Sequence, residues 1–279
     1  MDNNITIVTA FFDICRDLFK DFRREVTYYT NSFIHYLDYP YVMVCYIDDR
    51  YIEPILEKYE KSKYKNKRFI PINKQWLFDN IDAWKRLHID KAIIDSDYYK
   101  ELLDLPQSRR RDFQFPENHS AKYNAINHSK IDFINHSIAN NYINSAITCW
   151  CDFGYFETQQ KSIVSTLPKN TLDINKFHEQ KISFILKNEI NEKDMHMIYT
   201  LISPREVFTG TFFGGPTFLM KKLQKLYHNC IQEMYEKNVS DDDQHVFLRC
   251  YLSNPDLFDL HVILSEEWPR GLTLFSIDE

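Results

Sequence analysis

Short β-rich runs alternate with helical patterns through the first half of the chain, and this alternation restricts the fold more than any other property of the sequence. Residues 5–12 read as a buried strand, 22–37 as a helix, 41–47 as a strand, 51–59 as a helix, 67–72 as a third strand and 76–87 as a helix. Strands separated by helices pair most economically in parallel, because each helix carries the chain back to where the next strand must start. Residues 95–116 interrupt the pattern with polar side chains, two prolines and the triplet Arg109-Arg110-Arg111, and are expected to run over the surface. A helix over 121–139 then feeds a strong strand at 146–153. Later, 182–186 and 207–213 read as strands, 217–235 and 244–252 as helices, and 258–264 as a closing strand. The expectation is an α/β fold with a mostly parallel central sheet in a single domain, 1–279.

With 279 residues, 44% of them hydrophobic, the chain can bury a substantial core as one domain. Its net charge of −6 argues against nucleic acid as a partner, since neutralising phosphates needs a basic face. The arginine triplet and the lysine-rich stretch 58–68 are local exceptions, read as a solvated loop and a helix end. Six cysteines lie in apolar stretches with no secretory leader ahead of them, and are read as reduced core residues. No apolar run reaches the ~18 residues that span a bilayer, so no transmembrane segment is expected and the chain is read as cytoplasmic.

The chain has only five glycines, and four of them fall in two motifs, Trp150-Cys-Asp152-Phe-Gly154 and Gly210-Thr-Phe-Phe-Gly214-Gly215. So sparing a use keeps glycine where the backbone needs positive φ or where something must approach the main chain closely. Asp152 sits where a parallel strand ends, the edge at which open α/β sheets bind ligands, and one or two carboxylates suffice to hold a hard divalent cation on a diphosphate. An aspartate there serves equally to cap the next turn. Lys130 lies on the apolar stripe formed by Tyr123, Ile126, Phe133 and Ile134, so its ammonium must either snorkel to water or meet an anion. The two glycines 214 and 215 offer bare backbone against which a sugar ring or another strand can pack, or else a tight strand-to-helix turn. Asp241-Asp242-Asp243-Gln244 opens a helix, where at least one acid is expected to act as a cap.

Taken in order, a set of segments resembles one family. The set comprises Ile7-Val-Thr-Ala-Phe-Phe-Asp-Ile14 with Arg16, Pro116-Glu117, Tyr123-Asn124, Ser129-Lys130, the two glycine motifs, and Asp242-Asp243-Gln244. The resemblance is to the HtrL/YibB (WlaTC-like) family, found among bacterial surface-glycan genes and read as glycosyltransferases. More distantly the layout is similar to nucleotide-sugar transferases of the GT-A fold. That resemblance implies that Thr9, Ala10 and Phe11 line the base and ribose, with Arg16 also on the nucleotide, and that Lys130 meets the diphosphate. It further implies a Mn2+ or Mg2+ ion on Asp152, the donor sugar at Gly214 and Gly215, and the reacting centre at Asp243 with Gln244. Residues 1–153 would then form the nucleotide-binding half and 154–279 the sugar and acceptor half.

One departure stands out: Gly154 occupies the position of the second acid of an Asp-x-Asp motif. Either Trp150 replaces the first acid and Asp152 is the second, or Asp152 is the first and the second ligand comes from elsewhere, for which His261 is the candidate. The implied function is transfer of a sugar from a nucleotide-sugar donor, with UDP-sugar favoured, to a glycan or glycoconjugate acceptor. A metal-dependent phosphohydrolase and a non-catalytic nucleotide- or glycan-binding protein are the rival readings.

Overall fold

The computed structural model describes residues 5–105, 108, 115–155, 172–203, 205–263 and 271–276. The arginine triplet lies outside these described residues. Seven strands form one sheet: β1 (Ile5–Phe11), β2 (Met43–Asp48), β3 (Lys67–Ile72), β4 (Ile147–Cys151), β5 (Ile182–Leu186), β6 (Phe208–Pro216) and β7 (Phe258–Val262). Their order is β3-β2-β1-β4-β6-β5-β7. Every neighbouring pair is parallel except the two that β6 makes, with β4 and with β5. The mostly parallel α/β architecture read from the alternation is therefore the one the chain adopts.

The helices are α1 (Val26–Leu37), α2 (Glu53–Lys61), α3 (Lys74–Asn80), α4 (Asp82–Lys85), α5 (Leu87–Asp95), α6 (Asp97–Leu103), α7 (Pro116–His119), α8 (Ala121–Ala139), α9 (Met197–Ile202), α10 (Met220–Glu236), α11 (Asp243–Ser253) and α12 (Gly271–Leu274). The sequence pattern predicts one helix over 76–87, but Ile81 is extended (φ −119°, ψ 117°) and splits it. The cause is distant in sequence: the Ala83 amide donates to Asp132 Oδ2 at 3.0 Å, which starts α4 on a buried carboxylate of α8. Within 95–116, residues 97–103 form α6, so part of the expected surface excursion is helical.

Apolar side chains pack on both faces of the sheet. On one face Tyr46, Trp84, Phe133, Phe184 and Phe247 gather under α8, α10 and α11; on the other Phe11, Phe33, Tyr36 and Phe212 gather under α1 and α2. The all-buried β2 (MVCYID) lies inside the sheet, between β3 and β1, because it has no polar face to offer water. The six cysteines are free, and all but Cys15 are buried. Among the described residues no helix is long and apolar enough to cross a membrane.

Strand β6 decides among the readings of its glycines in favour of packing against neighbouring strands. Gly214 and Gly215 do not end the strand in a turn; they lie inside it, opposite Cys149 and Thr148 of β4. A methyl group on Gly214 would collide with the Cys149 side chain, and one on Gly215 would stand 2.9 Å from the Ile182 backbone. No glycine among the described residues has positive φ, so close approach is what requires these two.

Candidate active site

From β1 the chain builds outward to β2 and β3, then crosses back to place β4 on the other side of β1. Where strand order reverses, the loops leaving adjacent strands diverge and leave a crevice at the carboxyl edge. A cavity of about 880 Å³, its open mouth included, lies there. Residues after β1, at the end of β4, on α1 and on α8 line it, with Thr211 from β6.

The walls are aromatic and cationic. Phe11 stacks on Phe153 (centroids 5.1 Å apart) and packs against Tyr29 (5.2 Å); Tyr123 and Trp150 also face the cavity. Arg16, Arg24 and Lys130 supply positive charge. Arg16 is buried, with Nη1 donating to Tyr29 Oη (2.8 Å), Nη2 donating to the Phe22 carbonyl (3.0 Å), and its guanidinium over the Tyr123 ring (5.2 Å). Its Nε–H is buried and meets no acceptor among the described residues. A guanidinium desolvated with one donor unspent favours an anionic ligand.

Lys130 resolves the choice the sequence left open: it meets anions, and they belong to the protein. Its Nζ lies 3.1 Å from Asp152 Oδ1 and 2.8 Å from Asp243 Oδ2, and donates to the Gly210 carbonyl at 2.8 Å. Burial opposes the ammonium's charge, but the two carboxylates outweigh it and hold the lysine's pKa above its ordinary value. Burial raises the Asp243 carboxyl, with Lys130 acting against that shift and Asp152 adding to it. Asp152 is further fixed from two sides. Trp150 Nε1–H donates to its Oδ1 at 2.7 Å, and Tyr36 Oη donates to its backbone carbonyl at 2.8 Å.

The acidic stretch divides by task. Asp242 is the cap of α11, accepting the Gln244 amide at 3.1 Å; burial, then Glu117 and Asp241, push its carboxyl well up. Asp241 Oδ2 faces His245 Nδ1 at 2.8 Å. Asp243 reaches Lys130 because Gly210, directly opposite, has no side chain: a methyl there would overlap the Asp243 carboxylate.

Of the residues singled out in the sequence, the fold brings Ala10, Phe11, Arg16, Lys130 and Asp152 to the cavity. Asp243 stands behind it, joined through Lys130. Thr9 is fully buried in β1 and Gln244 lies on the helix cap; neither lines the cavity. Gly214 and Gly215 are inside the sheet, and His261 is on β7, bonded to Asp259 at 2.8 Å. Three strand steps separate β7 from β4, about 14 Å at ~4.8 Å each. His261 therefore does not share an ion with Asp152. Sequence reasoning missed Arg24, Tyr29 and Asn127 as lining residues. Asn127 was legible, because Tyr123, Asn127 and Lys130 fall at helical spacing on one face of α8; Arg24 and Tyr29 carry no such signal.

Among the described residues, two groups have donors close enough to hold a metal ion, Asp82 with Asp132 and His228, and Asp241 with Asp242 and His245. Asp152 belongs to neither. Its Oδ1 is already engaged by an indole N–H and an ammonium, and Gly154 supplies no second acid. A Cβ at 154 would stand 3.1 Å from the Tyr29 ring, so a longer side chain has little room. One carboxylate would suffice for an ion held chiefly by a diphosphate, but the Lys130 ammonium already lies between Asp152 and Asp243, and with it there the donors at Asp152 do not make up a divalent-metal site.

Over residues 3–276 the chain matches a family model described as "Bacterial protein of unknown function (HtrL_YibB)". It is 24% identical over 276 residues to Protein HtrL of Escherichia coli (strain K12), covering 96% of this chain and 91% of that protein. Among solved structures it is similar to apo mouse xyloside xylosyltransferase 1, with a TM-score of 0.42 and 9% identity over 92% of this chain and 84% of that one. It is also similar to 4-diphosphocytidyl-2C-methyl-D-erythritol synthase from Anaerococcus prevotii DSM 20548, with a TM-score of 0.37 and 12% identity over 92% and 86%.

Proposed function

The chain belongs to the HtrL_YibB family, and from the site it builds we propose that it is a glycosyltransferase, taking a sugar from a nucleotide-sugar donor to an acceptor hydroxyl of a glycan or glycoconjugate. The observation that carries this reading is the cavity at the reversal of strand order, which combines aromatic walls, three cations and two carboxylates, Asp13 and Asp152. Flat rings of Phe11, Tyr29, Tyr123 and Trp150 suit a nucleobase and ribose. Arg16, Arg24 and Lys130 suit a diphosphate.

In the reaction the acceptor oxygen bonds to the anomeric carbon while the bond from that carbon to the diphosphate oxygen breaks, and the electron pair leaves with the diphosphate. Cations fixed in place before the reaction stabilise the growing charge without reorganising. The acceptor proton passes to a carboxylate, and Asp152 is the acid of the Lys130 cluster that faces the cavity. Asp243 acts through Lys130, holding the ammonium in position. The donor favoured is a UDP-sugar, with 1–153 supplying nearly all of the nucleotide-binding wall. The manganese or magnesium ion implied by the family resemblance has no step in this reading, because the donors around Asp152 do not fit one.

The test is a panel of nucleotide sugars incubated with the protein, without acceptor, and analysed for products. Free sugar with intact nucleoside diphosphate supports the transferase. Inorganic phosphate as the first product points to a phosphohydrolase, and binding with no turnover under any acceptor points to a non-catalytic binder.

A further inference from the structure

We propose that Lys130 is the built-in cation of this site: its ammonium holds the place between Asp152 and Asp243 that a divalent ion would need, so the cavity takes a nucleoside diphosphate without metal. The second half of the statement rests on the glycosyltransferase reading; the first half does not.

Three oxygens surround the ammonium: Asp152 Oδ1 at 3.1 Å, Asp243 Oδ2 at 2.8 Å and the Gly210 carbonyl at 2.8 Å. Carboxylates and a backbone carbonyl are the donors a hard cation takes, and here a side chain already occupies them. Lys130 is only 5% exposed, and its ammonium is held by three protein oxygens rather than by water. A divalent ion beside it would add repulsion to the loss of two ion pairs.

The sheet makes this arrangement rather than chance rotamers. Gly210 sits on β6 facing the start of α11, and its missing side chain is the gap through which Asp243 reaches the ammonium. On the other side the Trp150 indole N–H takes up Asp152 Oδ1, leaving that carboxylate one oxygen for the cavity. Anion binding is then left to side chains, and Arg16 shows the matching property, a buried Nε–H with no protein acceptor among the described residues.

The experiment has two arms on the full chain. In the first, Mn2+ is titrated into wild type, Asp152→Asn and Lys130→Ala, with bound ion read by electron paramagnetic resonance. Wild type is expected to bind no Mn2+ that Asp152→Asn abolishes, whereas Lys130→Ala, if it folds, gains a site by exposing two carboxylates and a carbonyl. The wild-type result decides the matter even if that variant does not fold. In the second arm, the affinity of wild type for uridine diphosphate is measured by calorimetry in EDTA and in Mn2+, and is expected to agree within a few fold. Wild-type Mn2+ binding that Asp152→Asn removes, or uridine diphosphate binding seen only with Mn2+, overturns the proposal. If uridine diphosphate and other nucleoside diphosphates bind in neither condition, the nucleotide reading falls while the first arm still decides the cation.

Discussion

Gly210 and Asp243 face each other across the gap between β6 and α11 so closely that the space of one side chain is filled by the other: a methyl group on Gly210 would occupy the position of the Asp243 carboxylate. Gly210→Ala is therefore expected to destabilise by about 1–3 kcal/mol through overpacking. The same change in an Asp243→Ala background should cost less, because the colliding atoms are gone. Urea denaturation of the four forms gives the coupling, expected at about 0.5–3 kcal/mol. Additive losses would show that the two residues do not share this space.

Lys130→Met tests the ion cluster. Taken from the sequence, a methionine on a packed stripe would be harmless or stabilising. The structure reverses that expectation, since removing the ammonium leaves two carboxylates facing one another, and Asp243 is buried. Breaking a buried pair by deleting one partner costs about 3–5 kcal/mol. Adding Asp243→Asn should recover part of the loss. A Lys130→Met protein as stable as wild type would mean the lysine is not held as described.

Much of this was legible in the sequence, and the failures share a physical origin. Strand and helix positions follow local periodicity, and Lys130 stood out because a charge interrupted an apolar stripe. What periodicity does not carry is partner identity. Nothing in 207–213 says that β6 runs against its neighbours, and two glycines after an apolar run suit a sugar ring, a packed strand or a turn until the Cys149 and Ile182 sides that need them are known. The split after Asn80 comes from Asp132, some fifty residues later. His261 was placed correctly on the closing strand, but periodicity does not say that β6 and β5 stand between that strand and β4. The Asp243 role was half seen: three acids exceed what a cap needs, but only the fold shows that the surplus acid binds Lys130.

Acid sensitivity should report on His128. Its Nε2 donates to the Asp241 carbonyl at 2.8 Å, and burial followed by Arg86 pushes its pKa down to about 3. A folded pKa below the unfolded value of ~6.5 means that the stability contribution is complete above pH 6.5 and is lost as pH falls toward 3, at about 1.4 kcal/mol per pH unit. His128→Gln, which keeps a donor but does not titrate, should flatten this dependence relative to wild type. Carboxylates titrate in both proteins, so the difference between their urea midpoints at pH 7.5, 6 and 5 isolates the histidine. Parallel curves would place the acid sensitivity elsewhere.

The prediction that separates the enzyme classes compares Asp152 with Asp243. Asp152 faces the cavity with side chain 31% exposed, whereas Asp243 is at 3% and reaches the cavity only through Lys130. Asp152→Asn keeps the shape and lets Trp150 keep its acceptor, so folding should persist. Sugar release from the donor should fall by about 10²–10⁴-fold if this carboxylate takes the acceptor or water proton. Affinity for uridine diphosphate should stay within a few fold, since Arg16, Arg24 and Lys130 are untouched. Asp243→Asn should lose less chemistry and more stability, because it removes one anchor of the ammonium and no group that touches substrate. The decisive measurement is the product made from a nucleotide sugar in the absence of acceptor. A transferase acting on water cleaves the bond between sugar and diphosphate, leaving the diphosphate whole, whereas a phosphohydrolase attacks phosphorus and frees inorganic phosphate. Loss of free sugar in Asp152→Asn at preserved nucleotide affinity fits the transferase, and inorganic phosphate from wild type with no free sugar from any donor would transfer the same residues to a hydrolase.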